Sequence, residues 1–368
     1  MPPADALPKP ATNSRRDTLR KSALLLLRLA IGVAILVYLA KSGQINVSSL
    51  TRIFAVWPVT VAAFGFLLFD IFMMSIRASL LFRSARLSLS LGNSIQLNLI
   101  GFLFSTFLPG AAGGDIAKLV YATRENHGRR AEVATVLIVD RLVGLLSLVL
   151  LPLLFAPFFL DLLRSVSVLR RLLYLDALLA GSMIAGTALF MFFLPARSWV
   201  PSLLARWPRI KNLALRVLDA MAVHGKAQGT LLFALLLSIL ANMALIAVTA
   251  LALYVVSPVS FSMRLALVAP IGHLVNSIPL TPGGIGVGET AFNALFQLTG
   301  ISGGAEALLC VRVWNVLVGL LGLLVYLFGL GRIVHPYEGD SGEGDAPMAV
   351  QTRQMDLTTA FIDSSDRN

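Results

Sequence analysis

The residues able to do chemistry are few, and they sit where charge is costly. Asp70, Asp115, Asp140, Arg141, Glu289 and Arg312 all fall inside or at the edge of long apolar stretches. A charge at bilayer depth costs at least ~2.5 kcal/mol on insertion scales, so each needs a partner or a task. Asp115 and Glu289 follow Gly-rich breaks, Pro109-Gly110-Ala-Ala-Gly113-Gly114-Asp115 and Pro282-Gly283-Gly284-Ile-Gly286-Val-Gly288-Glu289. Each acid opens a short helical piece, Asp115 to Arg124 and Glu289 to Leu298, where a carboxylate caps free N–H groups for ~1 kcal/mol. The same breaks admit a second use. Gly113, Gly114, Gly283, Gly284 and Gly286 let backbone approach a ligand closely and leave N–H groups facing a phosphate. Roughly 25 residues further on, Arg141 in RLVGLL and Arg312 in RVWNVLVGLL offer the bidentate fork a phosphate needs, with Lys118 the next candidate. The competing reading is an internal ion pair, Asp140 or Glu289 with an arginine, that only holds the chain together.

Asp70, mid-stretch in GFLLFDIFMM, is either a proton-coupling carboxylate, a role also open to Asp140, or the partner of Arg77 nearly two turns on. Asp140 directly precedes Arg141, so on a helix the two point about 100° apart and take different partners. His273, Asn98 and Asn276 read as helix-to-helix hydrogen-bonding residues, and Thr281 as a possible headgroup donor. The enzyme signal is thin. Gly300-Ile-Ser302-Gly303 matches a membrane serine protease pattern, but the only later histidine is His335, beyond the last apolar stretch. No H-E-x-x-H, Walker loop or dinucleotide fingerprint occurs, and four histidines with the single Cys310 argue against a metal site or a disulfide framework. The expectation is no cofactor and no catalysis.

The elements that must position these residues are helices in a membrane. Of 368 residues, 57% are hydrophobic and 13% charged, half the ~25% of a soluble domain. Mean hydropathy is +0.82. Apolar stretches fall at about 22–40, 54–76, 91–108, 133–158, 172–194, 229–256, 261–280 and 305–330, each near the ~20 residues of a bilayer crossing. Residues 1–21 form a basic arm, 22–332 a transmembrane domain with halves 22–165 and 166–332, and 333–368 an acidic tail read as disordered. The +11 net charge lies between hydrophobic spans, which fits topology and anionic headgroups and excludes a nucleic-acid partner. Residues 195–228 place Leu203, Leu204, Trp207 and Ile210 among Arg206, Arg209, Lys211 and Arg216, the pattern of an interfacial helix on anionic headgroups or of a solvated connector.

Two stretches are abnormal. Leu91 to Leu108 carries Asn93, Ser94, Gln96, Asn98, Ser105 and Thr106, and 261–280 carries Arg264, Pro270, His273, Asn276 and Pro279. Each then breaks at a Pro-Gly, which membrane-depth backbone tolerates only inside protein or a wet cavity. If all eight cross, flanking Lys and Arg divide 13 inside to 12 outside; if these two are re-entrant hairpins, they divide 19 to 6. The positive-inside rule selects hairpins. The fold expected is therefore all-α and polytopic, an inverted repeat of three spans plus one re-entrant hairpin per half. Both termini are cytosolic in it, and the loops at Ala111 and Ile285 face opposite ways. Broken helices meeting near the midplane in inverted repeats are an alternating-access architecture.

The motifs LPGAAGGDIAKLVYATR (Leu108 to Arg124), VDRLVGL (Val139 to Leu145) and PLTPGGIGVGETAF (Pro279 to Phe292), with Arg77, Leu80 and Leu81 more weakly, resemble the transmembrane family of lysylphosphatidylglycerol synthases. That flippase-like family includes the membrane half of the multiple peptide resistance factor, and the resemblance covers nearly all of residues 20–332. Ala78, Lys118 and Gly288 depart from its pattern, standing where an aromatic, an arginine and an arginine are common. The resemblance implies movement of a polar-headgroup lipid (phospholipid, hopanoid or lipid-linked sugar) between leaflets of the inner, cytoplasmic membrane, without the soluble synthase domain. Membrane lipids, a homodimer mate and a separate lipid-synthesising enzyme are the partners it suggests. A small-solute secondary transporter of the same architecture is the alternative, and an intramembrane enzyme the weaker one.

Overall fold

A computed structural model describes residues 55–107, 112–189, 228–257, 262–278 and 286–329. The stretch at 22–40, the 195–228 segment, the tail, and Gly283, Gly284 and Thr281 lie outside the described residues. Every regular element among the described residues is helical: α1 (Trp57–Ser84), α2 (Leu91–Phe107), α3 (Ala112–Glu125), α4 (Arg130–Phe155), α5 (Ser167–Ala188), α6 (Gln228–Val256), α7 (Leu265–Ser277), α8 (Val287–Leu298) and α9 (Gly304–Leu324). A 3-10 turn at Ala156–Phe159 and a short α-helix at Leu160–Ser165 prolong α4, and a π-helical turn at Val325–Gly329 prolongs α9. Among the described residues four helical stretches, Trp57–Ser84, Arg130–Ser165, Gln228–Val256 and Gly304–Phe328, are long and apolar enough to cross a membrane. This is a polytopic α-helical membrane protein.

The first of these stretches outruns the sequence expectation. Pro58 opens α1, where a missing N–H costs nothing. The helix then continues to Ser84, so Arg77 lies buried within it instead of following it. It stops in a Schellman turn: Arg86 takes φ 56°, while Leu87 N–H donates to Phe82 O at 2.9 Å and Arg86 N–H to Arg83 O at 3.0 Å. Ser75 then ties α1 to α2, its carbonyl accepting from Ser94 Oγ at 2.8 Å and its hydroxyl from Asn98 Nδ2 at 3.0 Å.

The two abnormal stretches fold as helical hairpins. α2 and α3 are antiparallel, with Asn93 near the start of α2 donating to Glu125 at the end of α3. They touch at their glycines. A Cβ on Gly114 would run into the Gly101 carbonyl and Ser105 Oγ, and one on Gly101 would lie 2.5 Å from Lys118 Cε. α7 and α8 repeat the arrangement: Gly288 abuts Asn276, and a Cβ on Gly272 would lie 2.7 Å from the Phe292 ring. Small residues let helices close up without a hydrophobic driving force in lipid. α9 packs against α2, α8, α6 and α1, and the largest core cluster gathers around its Trp314 with Phe292 and Phe296.

Candidate functional site

Each hairpin delivers an acid to an arginine on the next long helix. In the first half Asp115, in the opening turn of α3, pairs with Arg141 of α4. In the second half Glu289, in the opening turn of α8, pairs with Arg312 of α9, Oε1 to Nε at 2.9 Å. Glu289 also caps its own helix, accepting from Gly286 N–H at 2.7 Å with its other oxygen. Gly286 is at φ 83°, a conformation that favours glycine. Capping and ion pairing thus coexist in one carboxylate.

The halves differ in depth. The Arg141 and Asp115 side chains are 42% and 43% exposed, whereas Arg312 and Glu289 are at 9% and 17%. A third pair lies deeper still. Arg77 grips Asp140 bidentately, Nε to Oδ1 at 2.7 Å and Nη2 to Oδ2 at 2.9 Å, and donates from Nη1 to Ser238 Oγ of α6 at 2.8 Å. Arg77 therefore does not pair with Asp70, as the alternative for Asp70 held. Asp140 and Arg141 take different partners, as their 100° offset on a helix requires.

A cavity of about 290 Å³ opens between the two halves. Its polar wall is Asp70 of α1, Ser105 of α2, His273 and Asn276 of α7, and Arg312 and Asn315 of α9. Arg312 Nη2 donates to Asn276 Oδ1 at 3.2 Å, fixing the guanidinium at the wall. His273 Nε2 meets Thr249 Oγ1 of α6 at 2.8 Å and packs edge-on against Phe292. Among the described residues the Asn315 Oδ1 atom is buried without a hydrogen-bond partner. Asp70 likewise makes no hydrogen bond or close ion pair among them; the cations acting on it electrostatically are Arg77 and Lys118. A second, apolar groove of about 410 Å³ is lined by Phe66 of α1, by residues of α6 from Met243 to Leu251, and by Met263 to Ala266 at the start of α7.

Of the residues picked out from sequence, Arg312 and Asp70 meet at the cavity, Glu289 supports it, and Arg141, Asp115 and Asp140 are engaged in pairs outside its lining. Lys118 folds along Gly101, within electrostatic range of Asp140, Asp115, Arg77 and Asp70. Gly114 forms the α2–α3 contact and Gly113 sits beside it at the start of α3. Sequence reasoning missed Asn315 and Ser238. Asn315 stood inside the RVWNVLVGLL motif three residues after Arg312, on the same helical face. No group of three or more His, Cys, Asp or Glu among the described residues could hold a metal.

The family model for the lysylphosphatidylglycerol synthase TM region matches residues 25–329. The chain belongs to that family. Neither a curated protein nor a solved structure matches it. All three acid–arginine pairs and the cavity lie within the span that defines this transmembrane family, so its membership and its polar interior coincide.

Proposed function

We propose that this chain moves a polar-headgroup lipid (a phospholipid, a hopanoid or a lipid-linked sugar) between the leaflets of the cytoplasmic membrane. The observation that carries the reading is the polar cavity between the two halves. An apolar membrane protein has no folding reason to leave Asp70 and Asn315 Oδ1 without partners at its centre, where an unsatisfied group is costly. A headgroup would enter at Arg312, Asn276 and Asn315. The apolar groove lined by the same helices α1, α6 and α7 suits an acyl chain and favours lipid over a small water-soluble solute.

In this reading the hairpins are re-entrant and the halves are inverted repeats of three spans and one hairpin. The repeated glycine contact and the repeated acid–arginine pair support it. Both termini are cytosolic, and the 195–228 segment meets anionic headgroups. The partners are membrane lipids, with a homodimer mate and a separate lipid-synthesising enzyme as protein partners. In this reading the protein is a transporter without a catalytic residue or cofactor; Ser302 lies exposed in the turn between α8 and α9, and among the described residues no histidine is bonded to it.

The test is a structure in bilayer discs formed from the native membrane, with bound lipid identified by mass spectrometry. Headgroup density against Arg312 and Asn315, with chains in the Phe66–Met263 groove, is the expected result. A water-soluble solute filling a cavity closed to that groove would overturn it.

A further inference from the structure

Asp70, Asp115 and Asp140 in the first half have fixed partners or none, and the difference is informative. Asp115 is held by Arg141 and Asp140 is held twice by Arg77. Asp70 stands apart: it is buried, at 7% exposure, faces the cavity, and makes no hydrogen bond or close ion pair among the described residues. Every charged or titratable side chain facing it is already engaged or set back. Arg77, on its own helix, is turned to Asp140 and Ser238. Arg312 of α9 is bound to Glu289 and Asn276. His273 of α7 is bound to Thr249. Lys118 of α3 lies along Gly101 with only long-range attraction to Asp70. The two other helices packed on α1 near this point contribute little: α2 carries no titratable residue and α6 only Tyr254.

A lone carboxylate in a cavity of limited size, away from a strong partner, is costly as an anion and cheap as a neutral acid. Its protonation state then follows whichever side the cavity faces. Resting on the lipid-transport reading, we propose that Asp70 is the proton-binding group that couples lipid movement to a proton gradient. The carboxylate takes one proton when the cavity faces the acidic side and returns it on the other. The acid form removes the one uncompensated charge from the cavity and so permits the helices to close across it. Asp140, fixed by two short bonds to Arg77, is a positioning residue.

The experiment uses the full chain in vesicles with a fluorescent phospholipid. With one proton moved per lipid, a one-unit pH difference holds up to about a tenfold ratio of labelled lipid between leaflets. Wild type is expected to build that asymmetry and to lose it when the gradient is collapsed. Asp70→Asn is expected to let lipid equilibrate without responding to the gradient, and Asp70→Glu to restore the response. Infrared difference spectra supply a readout independent of lipid: a protonated-carboxyl band that titrates in wild type and is missing in Asp70→Asn, with matched thermal melting as the folding control. Asymmetry that ignores pH, asymmetry that requires Na⁺, gradient-driven asymmetry retained in Asp70→Asn, or loss confined to amine-bearing lipids would each overturn the proposal. Absence of any lipid movement in wild type, with the infrared band present, would sink the lipid reading and leave the proton site standing.

Discussion

Removing Asp140 should destabilise the protein more than any surface change can, and by an amount the geometry bounds. The Arg77 and Asp140 side chains are 5% and 10% exposed, and three charge-assisted hydrogen bonds of 2.7, 2.8 and 2.9 Å converge on the guanidinium. Asp140→Leu strips two of them and leaves a cation uncompensated between α1, α4 and α6. Breaking one side of such a buried pair costs about 3–5 kcal/mol. Arg77→Met should cost a similar amount, since Ser238 falls back on its bond to Ala234 O at 2.8 Å while Asp140 is stranded. The double variant, Arg77→Met with Asp140→Leu, restores an apolar contact and should recover most of the loss. Unfolding in mixed SDS and dodecyl maltoside, followed by circular dichroism, gives the cycle. The coupling should be about 2 kcal/mol or more; strictly additive losses, or single variants within about 0.5 kcal/mol of wild type, would refute the pair as a structural clamp.

Other outcomes follow from the same geometry. Gly114→Ala drives a methyl into the Gly101 carbonyl and should cost about 1–3 kcal/mol, whereas Gly181→Ala, with open space around it, should be neutral or raise the melting temperature. Asn315→Leu should abolish lipid movement with little change in melting, because its Oδ1 has no internal partner to lose; a marked drop in melting temperature would count against a ligand role. Glu289→Ala removes cap and ion pair together and should melt lower than Glu289→Gln, whose amide oxygen still accepts from Gly286 N–H; equal melting would remove the cap from the account. In a Cys310→Ser background, a cysteine at Ser302 should label from outside intact cells and one at Gly128 should not; the reverse pattern would dismantle the proposed topology.

How much of this was legible in the sequence depends on range. The helices were, because hydropathy and Pro-Gly breaks are local: α2, α3, α7 and α8 fall where the polar-studded stretches and their glycines put them. Asp115 and Glu289 were visible as helix-opening carboxylates, and internal pairing of Glu289 was one of the two readings held open. Partner choice was not legible. Arg77 reaches 63 residues along the chain to Asp140 and 161 to Ser238, past the nearer Asp70, because α4 and α6 pack on the face of α1 that carries it. The 3.6-residue period reports which face is polar, and says nothing of which helix covers that face. The cavity was out of reach for the same reason: five helices from both halves each contribute one to four residues to it, and Asn315 gains its meaning only from that assembly.

The central claim is that lipid crosses between leaflets through the Arg312 cavity, and leaflet exchange of a fluorescent phospholipid, read by dithionite bleaching of vesicles holding purified protein, tests it most directly. Wild type should expose inner-leaflet label well above protein-free vesicles, Arg312→Ala in a folded and monodisperse protein should fall to that background, and Arg312→Lys should recover part, because an ammonium keeps the charge and loses the planar fork. Exchange by folded Arg312→Ala at the wild-type rate, or wild type no faster than bare vesicles, would contradict the account.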